Sequence, residues 1–408
     1  MTEHTFFGLG IVPRILDILE RIKFKVPTPI QYKAIPLAIE GKDVIGIAQT
    51  GTGKTHAFAI PMIQHLAQKE GIAIVLAPTR ELAIQIEEAV RVLTHAFGMK
   101  TACLIGGAPM RPQQESLRRR PQVIIGTPGR FIDHMESRNI LMARVNMLVI
   151  DEADRMLDMG FAPQVEKILK QLSRERQTML FSATMPAEIM RMIRTYMKLP
   201  VHLEIAPSGT IAEGVAQELY IVRREAKLSL LGKILAQYHG SVLMFIRTKH
   251  SARKITKAIR DMGHRVSEIH SDKSLGQRRE ALEGFKSGRY RILVATDIAS
   301  RGIDVTKIEL VINYDLPEDV ENYVHRIGRT GRAGCEGRAI SFATPDQKDD
   351  VKSIERLIRM QLPVVKHPEI PTEEFEQYHH APAARRPHGG IGFNRHRRPS
   401  FGRFRRRG

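Results

Sequence analysis

The 408-residue chain has no tryptophan and only two cysteines, Cys103 and Cys335, and its aromatic content is 6%. Two distant cysteines outside any Cys-x-x-Cys spacing speak against a disulfide framework and a cysteine-held zinc site, and suit a reducing cytoplasm. Scarce aromatics disfavour a recognition surface built on base stacking. No apolar stretch approaches the roughly 18 residues that a membrane span needs. The opening residues, Met-Thr-Glu-His-Thr, lack the basic and apolar regions of a secretory leader. A cytoplasmic protein without a membrane partner is expected. Acid is scarce at one end: no Asp or Glu follows Glu376, where nine arginines stand. The formal charge of +19 is therefore shared between that end and the rest, and a polyanionic partner is implied.

What is present is a globular composition, with 42% hydrophobic residues, in a chain too long for one ordinary core. Strand-like apolar runs occur at 43–47, 72–77, 122–126, 146–150 and 178–182. A second series occupies 217–222, 242–246, 266–269, 291–295, 309–313 and 338–343. Helical spacing of apolar residues recurs between them, as at 13–23, 80–96 and 277–287. Such alternation predicts α/β lobes with mainly parallel sheets covered by helices on both faces. The segment 207–211 reads as a linker between lobes at 1–206 and 212–362. From 363 to 408 the chain turns rich in Pro, His, Gly and Arg, and this segment is expected to be a disordered basic tail. Phe393, Phe401 and Phe404 among its arginines suit a nonspecific tether for a phosphate backbone.

Two short motifs carry chemistry. Ala48-Gln49-Thr50-Gly51-Thr52-Gly53-Lys54-Thr55 follows the apolar run 44–47. Thr50, Gly51, Thr52 and Gly53 form a turn whose backbone N–H groups can face phosphate oxygens, at the start of a helix that favours anions. Lys54 suits the β- and γ-phosphates, and Thr55 suits Mg²⁺. The strict P-loop pattern expects Gly where Ala48 stands. Asp151-Glu152-Ala153-Asp154 leaves the end of the run 146–150, where parallel sheets place ligand sites. Asp151 can hold Mg²⁺ through water, and Glu152 can position and deprotonate an attacking water. Alone the acids would read as a solvated helix cap; with the glycine-rich turn they imply a nucleoside triphosphate site. Upstream, the prolines of Pro27-Thr28-Pro29-Ile30-Gln31 stiffen a segment that holds the Gln31 amide. An amide can pair with the N6 and N7 edge of adenine, and Phe24 can stack on the base. Alone, that segment would read as a proline-rich turn with a core Phe.

Taken in order, these residues closely resemble the DEAD-box RNA helicases of superfamily 2 over about 1–362. The matching elements continue with Pro78-Thr79-Arg80-Glu81-Leu82-Ala83, Gly106-Gly107, Thr127-Pro128-Gly129-Arg130 and Ser182-Ala183-Thr184. Ala295-Thr296-Asp297 leads on to Arg301-Gly302-Ile303-Asp304, and then 325–332 reads His-Arg-Ile-Gly-Arg-Thr-Gly-Arg. The resemblance implies two tandem RecA-like domains with ATP and Mg²⁺ between them. It casts Arg329 and Arg332 as arginine fingers and Asp304 as a ribose contact. It casts Asp154, Ser182, Thr184 and His325 as the link between hydrolysis and lobe closure. RNA contacts are implied at Thr79, Arg80, Gly107, Thr127, Arg130, Thr248 and Thr296. Hydroxyls, guanidinium groups and backbone N–H groups suit sugar-phosphate contacts that ignore sequence.

The activity implied is RNA-stimulated ATP hydrolysis coupled to lobe closure, strand bending and local unwinding of short duplexes or remodelling of ribonucleoprotein. The partner is single-stranded or short duplex RNA, and the chain is expected to act as a monomer, in ribosomal or RNA-decay complexes. Details from Ile269-His270 to Asp304, with the short basic tail, are most similar to the bacterial RhlE-type subgroup. Three positions depart from the family pattern. Lys23 stands where Gly is usual, Ser271 follows His270 in place of Gly, and Leu275 occupies a common Gln position, while Arg278 is kept.

Overall fold

The computed structural model describes residues 5–48, 51–205, 215–297, 308–331, 337–371 and 373–376. The expected linker 207–211 and the tail from 377 lie outside these residues, as do Thr50, Asp304, Arg332 and Cys335.

The first lobe is built on seven parallel strands: β1 (Val44–Ile47), β2 (Ile72–Leu76), β3 (Thr101–Leu104), β4 (Val123–Gly126), β5 (Val145–Ile150), β6 (Gln177–Ser182) and β7 (Val201–Glu204). Their order across the sheet is β3-β4-β2-β5-β6-β1-β7. Central strands such as β1, β2 and β4 are buried along their whole length, as uninterrupted apolar runs require. Alternate side chains feed two cores, one with Phe58, Ile74's neighbour Val75 and Phe181, the other with Ile74, Phe131 and Leu148.

The second lobe repeats the plan with six parallel strands: β8 (Val215–Ile221), β9 (Val242–Phe245), β10 (Val266–Ile269), β11 (Ile292–Ala295), β12 (Leu310–Asn313) and β13 (Gly337–Ala343). Their order is β10-β11-β9-β12-β13-β8. The two α/β lobes with parallel sheets are those the sequence implies. Two strands escape the apolar-run reading, β3 and β7, and both are edges of the first sheet. β7 is half-exposed and exposed by turns, so its sequence carries no continuous apolar signal.

The chain does not leave the second lobe at 362. Leu219 donates to the Pro363 carbonyl at 2.8 Å, Val365 donates to Leu219 at 2.8 Å, and Glu373 donates to Ile221 at 3.0 Å. Ile370 is buried in the core under β8. Proline and histidine mask an extended segment that pairs along an open strand edge.

Helices start where capping chemistry places them. Thr79 accepts from Leu82 N at 3.2 Å and opens the helix Arg80–Thr94; Thr248 accepts from Ser251 N at 3.1 Å and opens Lys249–Asp261. Ser274 and Gln277 form a reciprocal capping box for Leu275–Lys286. Lys23 has φ 63°, a left-handed conformation at the end of the helix Pro13–Arg21, which explains why glycine is the easier residue there. Cys103 is half-buried, and burial, with Glu87 and Glu88 adding to it, pushes its thiol up to about 12. It is unreactive as a thiolate at neutral pH. Among the described residues no helix is long and apolar enough to cross a membrane.

Candidate nucleotide and RNA site

Every candidate residue that the structure describes, apart from Phe24, Gln31, His325 and Arg329, lies at or just beyond the C-terminal end of a parallel strand. The strand order sorts them. Gly51–Thr55 follow β1, 151–154 follow β5, and 182–184 end β6, three neighbours in the sheet. Thr79 and Arg80 follow β2, Gly107 follows β3, and Thr127 and Arg130 follow β4, the other half of the same edge. In the second lobe Thr248 follows β9 and Thr296 follows β11, side by side.

Gly51 and Gly53 both have φ 85°, the left-handed region in which a side chain strains the backbone. A Cβ on Gly53 would also fall 2.4 Å from Gln31 Nε2. Gln31 is buried; its Nε2 donates to the Gly53 carbonyl at 2.9 Å and its Oε1 accepts from Thr28 N at 2.9 Å. The amide thus fixes the turn, and each of its groups retains one further hydrogen-bonding capacity. Phe24 is partly exposed, with its ring centroid 4.5 Å from that of His56 on the helix Lys54–Gln68. Lys54 opens that helix, is buried, and donates to the Ala48 carbonyl at 2.9 Å. Thr55 is half-buried in its first turn.

Asp151, Glu152 and Asp154 are all buried. Burial pushes Asp151 up to about 6; Lys54 opposes this, and Glu152 and Asp154 add to it. Burial also works against an ionised Glu152, but Arg155, Lys54 and Arg329 together outweigh it and hold that carboxyl below its ordinary value. Arg155 Nη1 donates to Glu152 Oε2 at 2.8 Å, while Glu152 Oε1 is buried with no hydrogen-bond partner. Glu152 sits at φ 53°, a strained backbone at the cap of the short helix Ala153–Asp158. The donor set fits a hard divalent cation: crowded carboxyl groups, a hydroxyl at Thr55 and an orphaned buried oxygen. Arg329 comes from the second lobe, is buried, and its charge reaches Glu152.

The coupling residues converge on Asp154. Its N–H donates to Ser182 Oγ at 3.1 Å; its Oδ2 accepts from Ala183 N at 2.9 Å and Thr184 N at 2.8 Å. His325 Nε2 is 3.9 Å from Asp154 Oδ2, beyond hydrogen-bond reach. Burial, aided by Arg155, holds the imidazole well below its ordinary range, so it packs there neutral. The hydrogen bond between the lobes is instead that of Thr184 Oγ1 with Glu321 Oε2, at 2.9 Å. Nothing in the sequence marks that residue, because its partner lies in the other lobe.

A second contact between the lobes joins two residues from elements of the family pattern. Arg278 Nε is 3.0 Å from Glu81 Oε1; Glu81 is buried and Arg278 half-buried. Beside it Leu275 packs half-buried against the first lobe's core, so an apolar contact replaces the polar one a glutamine would make. Ser271 is exposed. On the other half of the edge, a Cβ on Gly107 would meet Arg80 Nη1 at 2.1 Å, and Gly107 has φ 72°. Arg130 Nη1 donates to the Ala108 carbonyl at 2.9 Å and pairs with Asp133 at 3.3 Å. Thr127 and Thr296 are largely buried, and Thr248 is exposed.

Comparisons with known proteins follow this geometry. The family model described as DEAD/DEAH box helicase matches residues 28–192, and that described as helicase conserved C-terminal domain matches 226–334. The ATP-dependent rRNA helicase RRP3 of Meyerozyma guilliermondii is 41% identical over 380 residues, 92% of this chain and 80% of the relative. The ATP-dependent RNA helicase CshA of Listeria monocytogenes is 41% identical over 371 residues, 90% of this chain and 71% of the relative. Among solved structures, S. cerevisiae Dbp5 bound to RNA and ADP BeF3 superimposes with a TM-score of 0.81 at 30% identity, over 88% of this chain and 95% of that one. Mss116p bound to ssRNA and AMP-PNP gives 0.82 at 28% identity, over 90% and 80%.

Proposed function

The chain belongs to the DEAD-box family of ATP-dependent RNA helicases, and on that premise we propose how its residues divide the work. Lys54 binds the β- and γ-phosphates, with Thr50, Gly51, Thr52 and Gly53 as backbone donors around them. Thr55, and Asp151 through water, would hold Mg²⁺, which when bound neutralises charge on the transferring phosphoryl group. Gln31 uses its remaining donor and acceptor on adenine, Phe24 stacks on the base, and Asp304 meets the ribose.

Glu152 is ionised, and Arg155 holds one of its oxygens. The other, Oε1, orients the attacking water and accepts its proton. Arg329 and Arg332 bring positive charge from the second lobe to the γ-phosphate, a contribution of about 10³–10⁵ in rate in related enzymes. Hydrolysis then depends on lobe closure. Thr79, Arg80, Gly107, Thr127, Arg130, Thr248 and Thr296 hold the sugar-phosphate backbone of one strand. Closure bends that strand, and a bent strand cannot stay paired in an A-form duplex, so short duplexes are opened locally. Asp154, Ser182, Thr184 and His325 carry the coupling.

The observation that supports this most directly is the meeting of Glu152 with Arg329 from the other lobe in one buried site. We assign lobes to 1–206 and 212–362, with 363–375 closing the second, and a basic tail that tethers RNA. A cytoplasmic monomer of the RhlE type, serving ribosomal or RNA-decay complexes, is the finer reading. The test is ATP hydrolysis with single-stranded RNA, with DNA, and with neither, in wild type and Glu152→Gln. Stimulation by RNA alone, abolished in the variant, is expected. No stimulation in protein that binds both ligands would replace the coupled cleft with a passive RNA clamp.

A further inference from the structure

One hydroxyl stands between two carboxyl groups where the lobes meet. Thr184 Oγ1 is 2.9 Å from Glu321 Oε2 and 3.2 Å from Asp154 Oδ2. A hydroxyl has one proton and donates once. Were both carboxyl groups ionised, one contact would set lone pair against lone pair. A proton on one of the two acids makes both contacts hydrogen bonds.

Their surroundings decide which. Asp154 accepts from three backbone N–H groups, those of Ala183, Thr184 and Arg155, at 2.9, 2.8 and 3.0 Å. Its oxygens are thus already supplied with donors, and Asp154 acts here as an acceptor. The Glu321 carboxyl accepts from no backbone N–H among the described residues and forms no ion pair there. Burial raises its pKa; the Thr184 hydrogen bond opposes this, while Asp319 on its own segment and Asp154 across the cleft add to it. His325, on the same helix, is neutral. The cations of this region, Lys54, Arg155 and Arg329, act on Glu152 instead.

We propose that Glu321 is a positioning residue for ATP hydrolysis: as the carboxylic acid it donates to Thr184 Oγ1, Thr184 donates to Asp154, and lobe closure takes up one proton from solvent. This rests on the closure-coupled reading above. The relay ties the second lobe to the 182–184 turn, which Asp154 already holds from within the first lobe. The sign follows from which state binds the proton. The closed state binds it more tightly, so closure is favoured at low pH and weakens as pH rises through the closed-state value.

The test uses the full chain with ATP, Mg²⁺ and poly(U) RNA, in wild type, Glu321→Gln, Glu321→Ala and Glu152→Gln. An amide donates at every pH, so Glu321→Gln should keep kcat within about threefold and lose the alkaline rise in KM for RNA. Glu321→Ala should lower RNA-stimulated kcat about tenfold at every pH with the thermal midpoint unchanged. Calorimetry of binding to RNA plus a non-hydrolysable ATP analogue, in buffers of different ionisation heat, should show proton uptake in wild type and less of it in Glu321→Gln. Equal damage in the Gln and Ala variants, or the same proton uptake in wild type and Glu321→Gln, overturns the proposal. If RNA stimulates no hydrolysis that Glu152→Gln abolishes, the underlying reading fails instead.

Discussion

Removing one partner of the Glu81–Arg278 pair should cripple closure and leave each lobe intact. Glu81 is in the first turn of Arg80–Thr94, in the first lobe, and Arg278 is on Leu275–Lys286, in the second. The ion pair spans 3.0 Å, with side chains 6% and 13% exposed. Burial lowers the guanidinium's pKa and Glu81 resists this, which identifies Glu81 as the charge that offsets desolvation. With the lobes apart, both groups are free to be hydrated. The penalty for losing one therefore falls on the closed state alone. Breaking a buried pair costs about 3–5 kcal/mol, and the lower end applies because the Arg278 Nε–H is poorly aligned on the carboxylate. About 3 kcal/mol is roughly a hundredfold in the closure equilibrium. Glu81→Gln should thus raise the RNA concentration for half-maximal ATP hydrolysis about a hundredfold, with kcat at saturating RNA nearly unchanged. Fluorescence energy transfer between dyes on the two lobes reports closure directly, and the double variant Glu81→Gln/Arg278→Gln should recover most of the loss. Single variants that close and hydrolyse within about threefold of wild type, or a double variant no better than the worse single, would refute the reasoning.

Other expectations follow from single residues. Asp151→Asn should abolish hydrolysis yet stabilise the ligand-free chain. The folded pKa of about 6 lies above the usual carboxylate value, so the stability it confers is full at acid pH and is lost as pH rises through 6. The gain in the Asn variant should reach up to about 3 kcal/mol at neutral pH and vanish near pH 4, read by urea unfolding. Gly53→Ala should cost about 1–2 kcal/mol and remove ATP binding, because φ is 85° and the new Cβ strikes Gln31; ATP titration by fluorescence checks it. Lys23→Gly should stabilise by about 1 kcal/mol with unchanged kcat, since the left-handed helix end no longer carries a side chain. Deleting 377–408 should raise KM for RNA and flatten its dependence on salt, with ATP affinity unchanged.

The legible part of this protein is the part written in contiguous residues. Buried central strands appear as apolar runs because both faces are covered, and eleven such runs are strands in the structure. β3 and β7 were illegible because an edge strand is half-exposed and needs no continuous apolar stretch. The segment 363–375 was missed for a related reason, since it is held by backbone hydrogen bonds to β8 rather than by apolar periodicity. At the site, the glycine-rich turn, the acidic strand end and Gln31 announce themselves through residue type and spacing. Glu321, Arg278 with Glu81, and Arg155 with Glu152 do not. In each of these three contacts the partner sits either in the other lobe or behind the candidate catalytic carboxylate, where a carboxylate or guanidinium looks like any solvated charge until the fold desolvates it.

That desolvation is what makes two lobes necessary. The first lobe gathers Asp151, Glu152 and Asp154 in one buried place, an arrangement that burial opposes. Arg155 and Lys54 offset part of the cost from within the lobe, and Arg329 adds the rest from outside it. The strand order places the candidate nucleotide and coupling residues at β5, β6 and β1 and the candidate RNA residues at β3, β4 and β2, two halves of one edge that meet at β2 and β5. The contacts that cross between lobes do so at both halves: Glu321 and Arg329 on the nucleotide side, Arg278 and Leu275 on the RNA side. A second lobe seated by RNA at one half is thereby seated at the other. In the proposed mechanism its charge arrives at Glu152 with RNA held, and hydrolysis at one site would then depend on occupancy of the other.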